Sequence, residues 1–228
     1  AILGGERIME VYNRGEVAVD VKADDSPVTE ADRAADQVIS ESLAEAFPGL
    51  PLVTEEQAAT HSLSAKTFLI VDPLDGTKEF IKRRGDFTVN IALVEEGIPT
   101  RGIVYAPAKG RLFFTDEAGV SHEETGDITA DTAGPSAPIR VRQPDNSALF
   151  VVASKSHRDA STDDYIAKYQ TADMKSAGAS LKFCLVAAGE ADLYPRRGPT
   201  MEWDTAAGDA VLRGSGGAMV HFEDHATF

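Results

Sequence analysis

The chain has 228 residues, 43% of them hydrophobic, one cysteine and a formal net charge of −15. That is enough apolar material for one large domain or two intimate ones. The acidity excludes a general basic surface for a nucleic-acid polymer, and no run approaches the roughly 18 apolar residues that a membrane helix needs. Cys184 alone excludes an intramolecular disulfide and suits a reducing compartment; it lies in the apolar run LKFCLVAAG and reads as a buried structural thiol. The expected location is cytoplasmic, at most peripheral to a membrane.

In chain order, AILGGERIMEVY reads as an amphipathic helix over residues 2–14, without the basic and apolar regions of a leader. KADDSPVTEAD supplies turn chemistry and then a helix start: Thr29 caps, Asp32 follows three residues on, and ADQVISESLAEAF continues with helical spacing until Phe47-Pro48-Gly49 stops it. LPLVTEE is a short strand ending in acids, residues 57–66 are a polar connection, and TFLIV is a buried strand. FTVNIALVEEG and TRGIVYAP, joined through Gly97-Ile98-Pro99, read as antiparallel neighbours, and RLFFTDEAG adds another strand.

From His122 to Pro138 the apolar density falls, and this stretch reads as a loop or domain junction. The division expected is an N-terminal α+β part, 1–137, and a C-terminal α/β part, 138–228. In the latter, ALFVVAS is a strand, DDYIAKYQ and ASLKFCLVAAG are helices, ADLYPR is a strand, WDTAAGDAVLRG is a helix and GGAMVHF is a last strand. The fold class expected is therefore α+β passing into α/β.

The segment VDPLDGTKEF, residues 71–80, carries the most chemistry. Pro73 cannot donate a ladder hydrogen bond, so the strand must turn there. Gly76 permits a sharp turn, and Thr77 opens a short helix. Free amides at a helix start favour anions, while Asp72, Asp75 and the Leu74 carbonyl offer hard oxygen ligands of the kind that Mg²⁺ takes together with water and phosphate. An ordinary Asp-rich turn is the plain alternative for a lone DxxDG.

Three further places supply acids: Glu55 and Glu56 at the end of LVTEE, Asp204 near a helix start, and Asp32. Capping and helix-dipole complementarity account for Asp32 and Asp204 taken singly. Together with the loop, they form a constellation.

These segments resemble the inositol monophosphatase-like, lithium-sensitive magnesium phosphatases. VDPLDGTKEF and WDTAAGDAV match that family's two longest landmarks, and TEE and SPVTEAD fit the other two. The resemblance runs from about Lys22 to Val220. SPVTEAD, DGTKEFIKRRGDFTVNIALV, VVASKSH, GASLKFCLVAAGEADLYPR and GPTMEWDTAAG make the chain most similar to the CysQ-type branch, the 3′(2′),5′-bisphosphate nucleotidases.

The resemblance implies a layered αβαβα sandwich of the inositol monophosphatase / fructose-1,6-bisphosphatase type. It implies two to three Mg²⁺ ions: one held by Glu55, Asp72 and the carbonyl of Leu74, a second by Asp72, Asp75 and Asp204, and a weaker third beside Glu55. The phosphate would rest beside Asp75 on the amides of Gly76 and Thr77. Thr77 paired with Asp32 would generate the nucleophile from a metal-bound water, with Glu55 assisting. Glu56 would lie near the metals without being a principal ligand. Lys155, His157, Ser180, Lys182 and Arg196 would line the nucleotide pocket, and Arg197 would face solvent.

The function expected on this resemblance is Mg²⁺-dependent hydrolysis of 3′-phosphoadenosine 5′-phosphate to AMP and phosphate, a step that clears a by-product of sulfate assimilation. The partner expected is a phosphorylated small molecule, with no nucleic-acid polymer and no stable membrane insertion. A homodimer is left open. The alternatives are an inositol or sugar monophosphatase, and a catalytically silent metal- or nucleotide-binding protein on the same fold.

Overall fold

The computed structural model describes residues 1–15, 18–22, 26–131, 134–154 and 158–227. Helix α1 (Ile2–Arg14) buries Ile8 and Val11. A two-stranded antiparallel ribbon follows, β1 (Val19–Val21) with β2 (Pro27–Thr29). Thr29 then caps α2 (Glu30–Ala46): its hydroxyl accepts from the Ala31 amide, and its own amide donates to Asp32. This reciprocal cap satisfies amides that a helix start leaves unpaired. The inward face of α2 carries Ala31, Asp32, Ala35, Asp36 and Ile39, the spacing of one helical stripe.

A seven-stranded sheet comes next: β3 (Leu52–Thr54), β4 (Thr67–Asp75), β5 (Thr88–Glu95), β6 (Ile98–Ala106), β7 (Arg111–Thr115), β8 (Ser121–Thr125) and β9 (Ser136–Pro138), in that spatial order. β3 pairs parallel with β4, and every later pair is antiparallel. The short helix α3 (Thr77–Ile81) interrupts the run between β4 and β5. Strand alternation divides the core. Val71, Val89, Ile91 and Tyr105 pack with Ile8, Ala35 and Ile39 under α1 and α2. Ile70, Ala92, Val94, Val104 and Phe113 pack on the opposite face.

That opposite face is covered by α5 (Leu181–Ala187) and α6 (Glu202–Gly214). Small residues let α6 approach closely: a Cβ added at Gly102 of β6 would collide with the Ala207 carbonyl. Behind these helices lies a parallel pair, β10 (Leu149–Ser154) and β11 (Thr171–Ala177), with α4 (Ala160–Ile166) on its far side. Two helices, a sheet, two helices, a small sheet and a helix make the αβαβα sandwich.

Four local expectations need correction. The stretch from His122 to Pro138 is not simply a loop, because β8 and β9 extend the large sheet at its edge. β9 at the edge is exposed throughout and β8 is built of polar residues, so their composition imitates a loop. TADMKSA, for which no element was expected, is β11, and six of its seven residues are exposed. The helix expected at DDYIAKYQ begins earlier, at Ala160, because Asp159 caps it by accepting from the Thr162 amide at 2.8 Å. ADLYPR and GGAMVHF form single bridges, Leu193 with Val151 and Val220 with Thr227, rather than strands.

Candidate active site

Asp72 and Asp75 are separated by three positions, which in a regular strand would put them on opposite faces. The register of β4 against β5 shifts between them: Asp72 opposes Asn90, while Asp75 opposes Thr88. Three steps on one strand therefore match two on the other. This extra residue resets the alternation and turns both carboxylates to the side of α6. Leu74, at the irregularity, buries its side chain in the other core half, while its amide donates to Asp72 Oδ1 at 3.0 Å.

Asp204 enters from the first turn of α6. Its Oδ2 accepts from the Met201 amide at 2.9 Å and from Thr200 Oγ1 at 2.8 Å. One carboxylate oxygen from each of Asp72, Asp75 and Asp204 falls within 4.8 Å of the others. Glu55, after β3, comes close enough to Asp72 for a hydrogen bond when one of the two is protonated.

Gathering acids in this way has an electrostatic cost. Burial, then the charges of Glu55, Asp75 and Asp204, push the Asp72 carboxyl well above its usual range. Burial and Asp204 raise Asp75 to about 6, against the opposing pull of Lys182, Ser180 and Asn90. Convergent oxygens whose anionic form is disfavoured by burial and by one another's charge are a donor set that fits a hard divalent cation.

The flanks are hydrogen-bonded supports. Thr77 Oγ1 donates to Asp32 Oδ1 at 3.0 Å, and Asp32 Oδ2 is already held by the Thr29 amide and hydroxyl. Burial raises the Asp32 pKa despite those bonds. Asp32 is therefore a cap and a partner of Thr77 at once. Gly76 sits at φ 90°, and a side chain there would press on Ala179 and on the Asp86 carbonyl.

Ser180 is buried, its hydroxyl 2.7 Å from Asp75 Oδ2 and 2.8 Å from the Asp204 carbonyl, and it accepts from Asn90 Nδ2 at 2.9 Å. Lys182 does not reach out to solvent. It is 2% exposed and donates to the Ala179 carbonyl at 2.5 Å, with Tyr194 beneath its ammonium at 5.1 Å. Burial lowers its pKa to about 8. Arg196 donates to the Pro199 carbonyl at 2.8 Å, and its Nε is buried without a hydrogen-bond partner among the described residues.

A cleft of about 690 Å³ joins these groups, with Glu55, Asp75, Gly76, Thr77, Lys182, Arg196 and Asp204 all on its walls. Of the expected nucleotide-pocket residues, Lys155 and His157 lie outside the described residues. Arg197 pairs with Glu223 at 3.7 Å and lies over Phe222, and all three line a second cavity of about 360 Å³ that shares Asp75, Ser180, Arg196 and Asp204 with the site.

Sequence reasoning missed Asn90 and Lys22. Asn90 ties Asp75 to Ser180, and its signal was a lone amide in the apolar run TVNIALV. Lys22 reaches both Glu55 and Glu56, and nothing local to VKADD signals that contact.

The sequence profile of the inositol monophosphatase family matches residues 1–227. The chain is 46% identical over 221 residues to the 3′(2′),5′-bisphosphate nucleotidase CysQ of Escherichia coli K12, covering 95% of this chain and 85% of that protein. The crystal structure of CysQ from Bacteroides thetaiotaomicron superposes with a TM-score of 0.79 at 40% identity, covering 95% of this chain and 83% of that one. An inositol monophosphatase from Thermotoga maritima shares the fold with a TM-score of 0.77 at 24% identity, covering 99% and 83% of the two chains. From its profile match, its relatives and its folded architecture, this chain belongs to the inositol monophosphatase family.

Proposed function

We propose that this protein is a divalent-metal-dependent 3′(2′),5′-bisphosphate nucleotidase, hydrolysing 3′-phosphoadenosine 5′-phosphate to AMP and phosphate by direct attack of water. The observation that carries the reading is one cleft that brings acids and cations together: Asp75 and Asp204, whose carboxylates converge with that of Asp72, share its walls with Lys182 and Arg196. The names of the similar CysQ proteins supply the substrate class.

Glu55, Asp72, Asp75, Asp204 and the Leu74 carbonyl would hold the ions, for which we propose Mg²⁺. Such ions acidify water and neutralise charge on the phosphoryl group and the leaving oxygen. The chain does the rest. The amides of Gly76 and Thr77 would receive the phosphoryl oxygens beside Asp75. Thr77 Oγ1 would take a proton from the attacking water and pass its own to Asp32 Oδ1, whose raised pKa makes it a readier acceptor than an exposed aspartate. The water oxygen bonds to phosphorus, the ester P–O bond breaks, and the ribose oxygen leaves as an alkoxide that takes a proton from solvent water, while Asp32 returns its proton to solvent.

Lys182, Ser180 and Arg196, with Lys155 and His157, would hold the nucleotide and its second phosphate. Residues 1–137 then supply most of the metal ligands and residues 138–228 the nucleotide side. Among the described residues no helix is long and apolar enough to cross a membrane, and the buried, unpaired Cys184 leads us to assign a cytoplasmic location.

The test is phosphate release with Mg²⁺ from a panel of 3′-phosphoadenosine 5′-phosphate, AMP, inositol phosphate and fructose bisphosphate. The bisphosphorylated nucleotide is expected to turn over best. A clear preference for inositol phosphate would assign the narrower activity elsewhere in the family.

A further inference from the structure

Glu55 and Glu56 stand on a turn, and a turn alone does not hold two carboxylates still. Here it is gripped from behind by α2. Asp36 lies one helical turn beyond Asp32 on the same inward face and is 7% exposed. Its Oδ1 accepts from Thr54 Oγ1 at 2.5 Å, and its Oδ2 accepts from Gln57 Nε2 at 2.9 Å. Thr54 immediately precedes Glu55, and Gln57 immediately follows Glu56. One carboxylate therefore brackets the acid pair. Gln57 Nε2 also donates to Ser40 Oγ at 3.2 Å, one turn further along α2.

The turn closes on itself as well. The Gln57 amide donates to the Thr54 carbonyl at 3.2 Å, Thr60 Oγ1 donates to the Gln57 carbonyl at 2.7 Å, and His61 Nε2 lies 2.9 Å from the Thr54 carbonyl. His61 then packs at a tilt against Trp203, next to Asp204, with ring centres 4.6 Å apart. A single helix thus addresses both halves of the centre, Asp32 toward Thr77 and Asp36 toward the Glu55–Glu56 turn.

We propose that Asp36 is a positioning residue that presets Glu55 for divalent-metal binding, acting through its two hydrogen bonds and not through its charge. The inference rests on Glu55 being a metal ligand, as proposed above. A ligand on an unanchored turn must be ordered when the ion binds, and that ordering weakens the ion's affinity.

The test titrates Mg²⁺ calorimetrically into the chelator-treated, substrate-free protein as wild type, Asp36→Asn, Asp36→Ala and Thr54→Val. In Asp36→Asn, Oδ1 still accepts from Thr54, and Nδ2 donates to Gln57 once that amide turns over to present Oε1. We expect Asp36→Asn to bind Mg²⁺ within about twofold of wild type, Asp36→Ala to bind at least roughly tenfold more weakly, and Thr54→Val to fall between them. Turnover of Asp36→Ala should recover toward wild type as Mg²⁺ is raised.

Two results would overturn the inference: Asp36→Asn binding as weakly as Asp36→Ala, which would make charge the agent, or Asp36→Ala and Thr54→Val both binding like wild type. If Asp36→Ala does not fold, the comparison of Thr54→Val with wild type decides. A wild type that binds no Mg²⁺ is a separate result, which removes the metal reading and this inference with it.

Discussion

Lys22 Nζ stands 2.7 Å from Glu55 Oε1. It is also 2.6 Å from Glu56 Oε1, so an ammonium from the end of β1 occupies the flank of the acid cluster. Burial disfavours that charge, but the two glutamates outweigh it and raise the Lys22 pKa. In the metal-free protein Lys22 is a counter-ion for carboxylates that otherwise repel.

Lys22→Met should therefore separate stability from metal affinity. The chelated variant should lose about 1–2 kcal/mol, since charged hydrogen bonds at a partly buried site are removed. Its Mg²⁺ affinity should rise several-fold, because the ion no longer competes with a cation for Glu55. Thermal unfolding with chelator and then with Mg²⁺ measures both, and a Mg²⁺-induced Tm shift no larger than in wild type would contradict the counter-ion role.

Asp75→Asn should remove most turnover, by at least roughly a hundredfold, as expected when a preorganised electrostatic group is lost. The fold should survive, because an amide can keep the bonds with Ser180 and Asn90. The far-ultraviolet circular dichroism spectrum is expected to match wild type. Near-normal phosphate release would contradict the metal assignment of Asp75.

Lys182 gives a pH signature. Its pKa is lowered to about 8, first by burial and then by the repulsion of Arg196, against attraction from Asp75, Glu79 and Asp86. Above that pH the free protein loses this positive charge. For a bisphosphorylated substrate, kcat/KM should fall as pH rises through about 8, because that ratio reports groups of the free enzyme. Lys182→Met should be weak at neutral pH, mainly through KM, and should lack this alkaline limb. An unchanged limb in the variant would assign it to another group.

Gly102→Ala probes the seam between β6 and α6. The added methyl meets the Ala207 carbonyl and the Ala210 side chain. Overpacking of this kind costs about 1–3 kcal/mol. Because Asp204 rides on α6, Mg²⁺ affinity should fall together with Tm. A variant as stable as wild type would show that α6 can move without cost.

Several features were legible in the chain before any fold was known. VDPLDGT announced two carboxylates and a sharp turn at Gly76, because glycine accepts a left-handed backbone; the turn expected at Pro73 is instead a register shift, and β4 runs on to Asp75. Thr29 and Asp32 announced a helix start, since caps act over three residues. The apolar β4, β5 and β6 were plain from composition. β11 and the edge strand β9 were not, because exposed strands carry no apolar pattern, and β8, SHEET, was not, because its residues are polar although it is paired on both sides.

What local chemistry determines, the sequence by itself determined: the acidic loop, the capped helices, the apolar strands of the large sheet, and the likeness that names the family. Only the tertiary structure decided that Asp204 approaches Asp72, that Lys22 faces Glu55, and that Asp36 grips the turn between Thr54 and Gln57. Those contacts join residues far apart along the chain. Their geometry depends on a register shift in β4 and on how closely α6 packs against β6, and neither is encoded in any short run of residues.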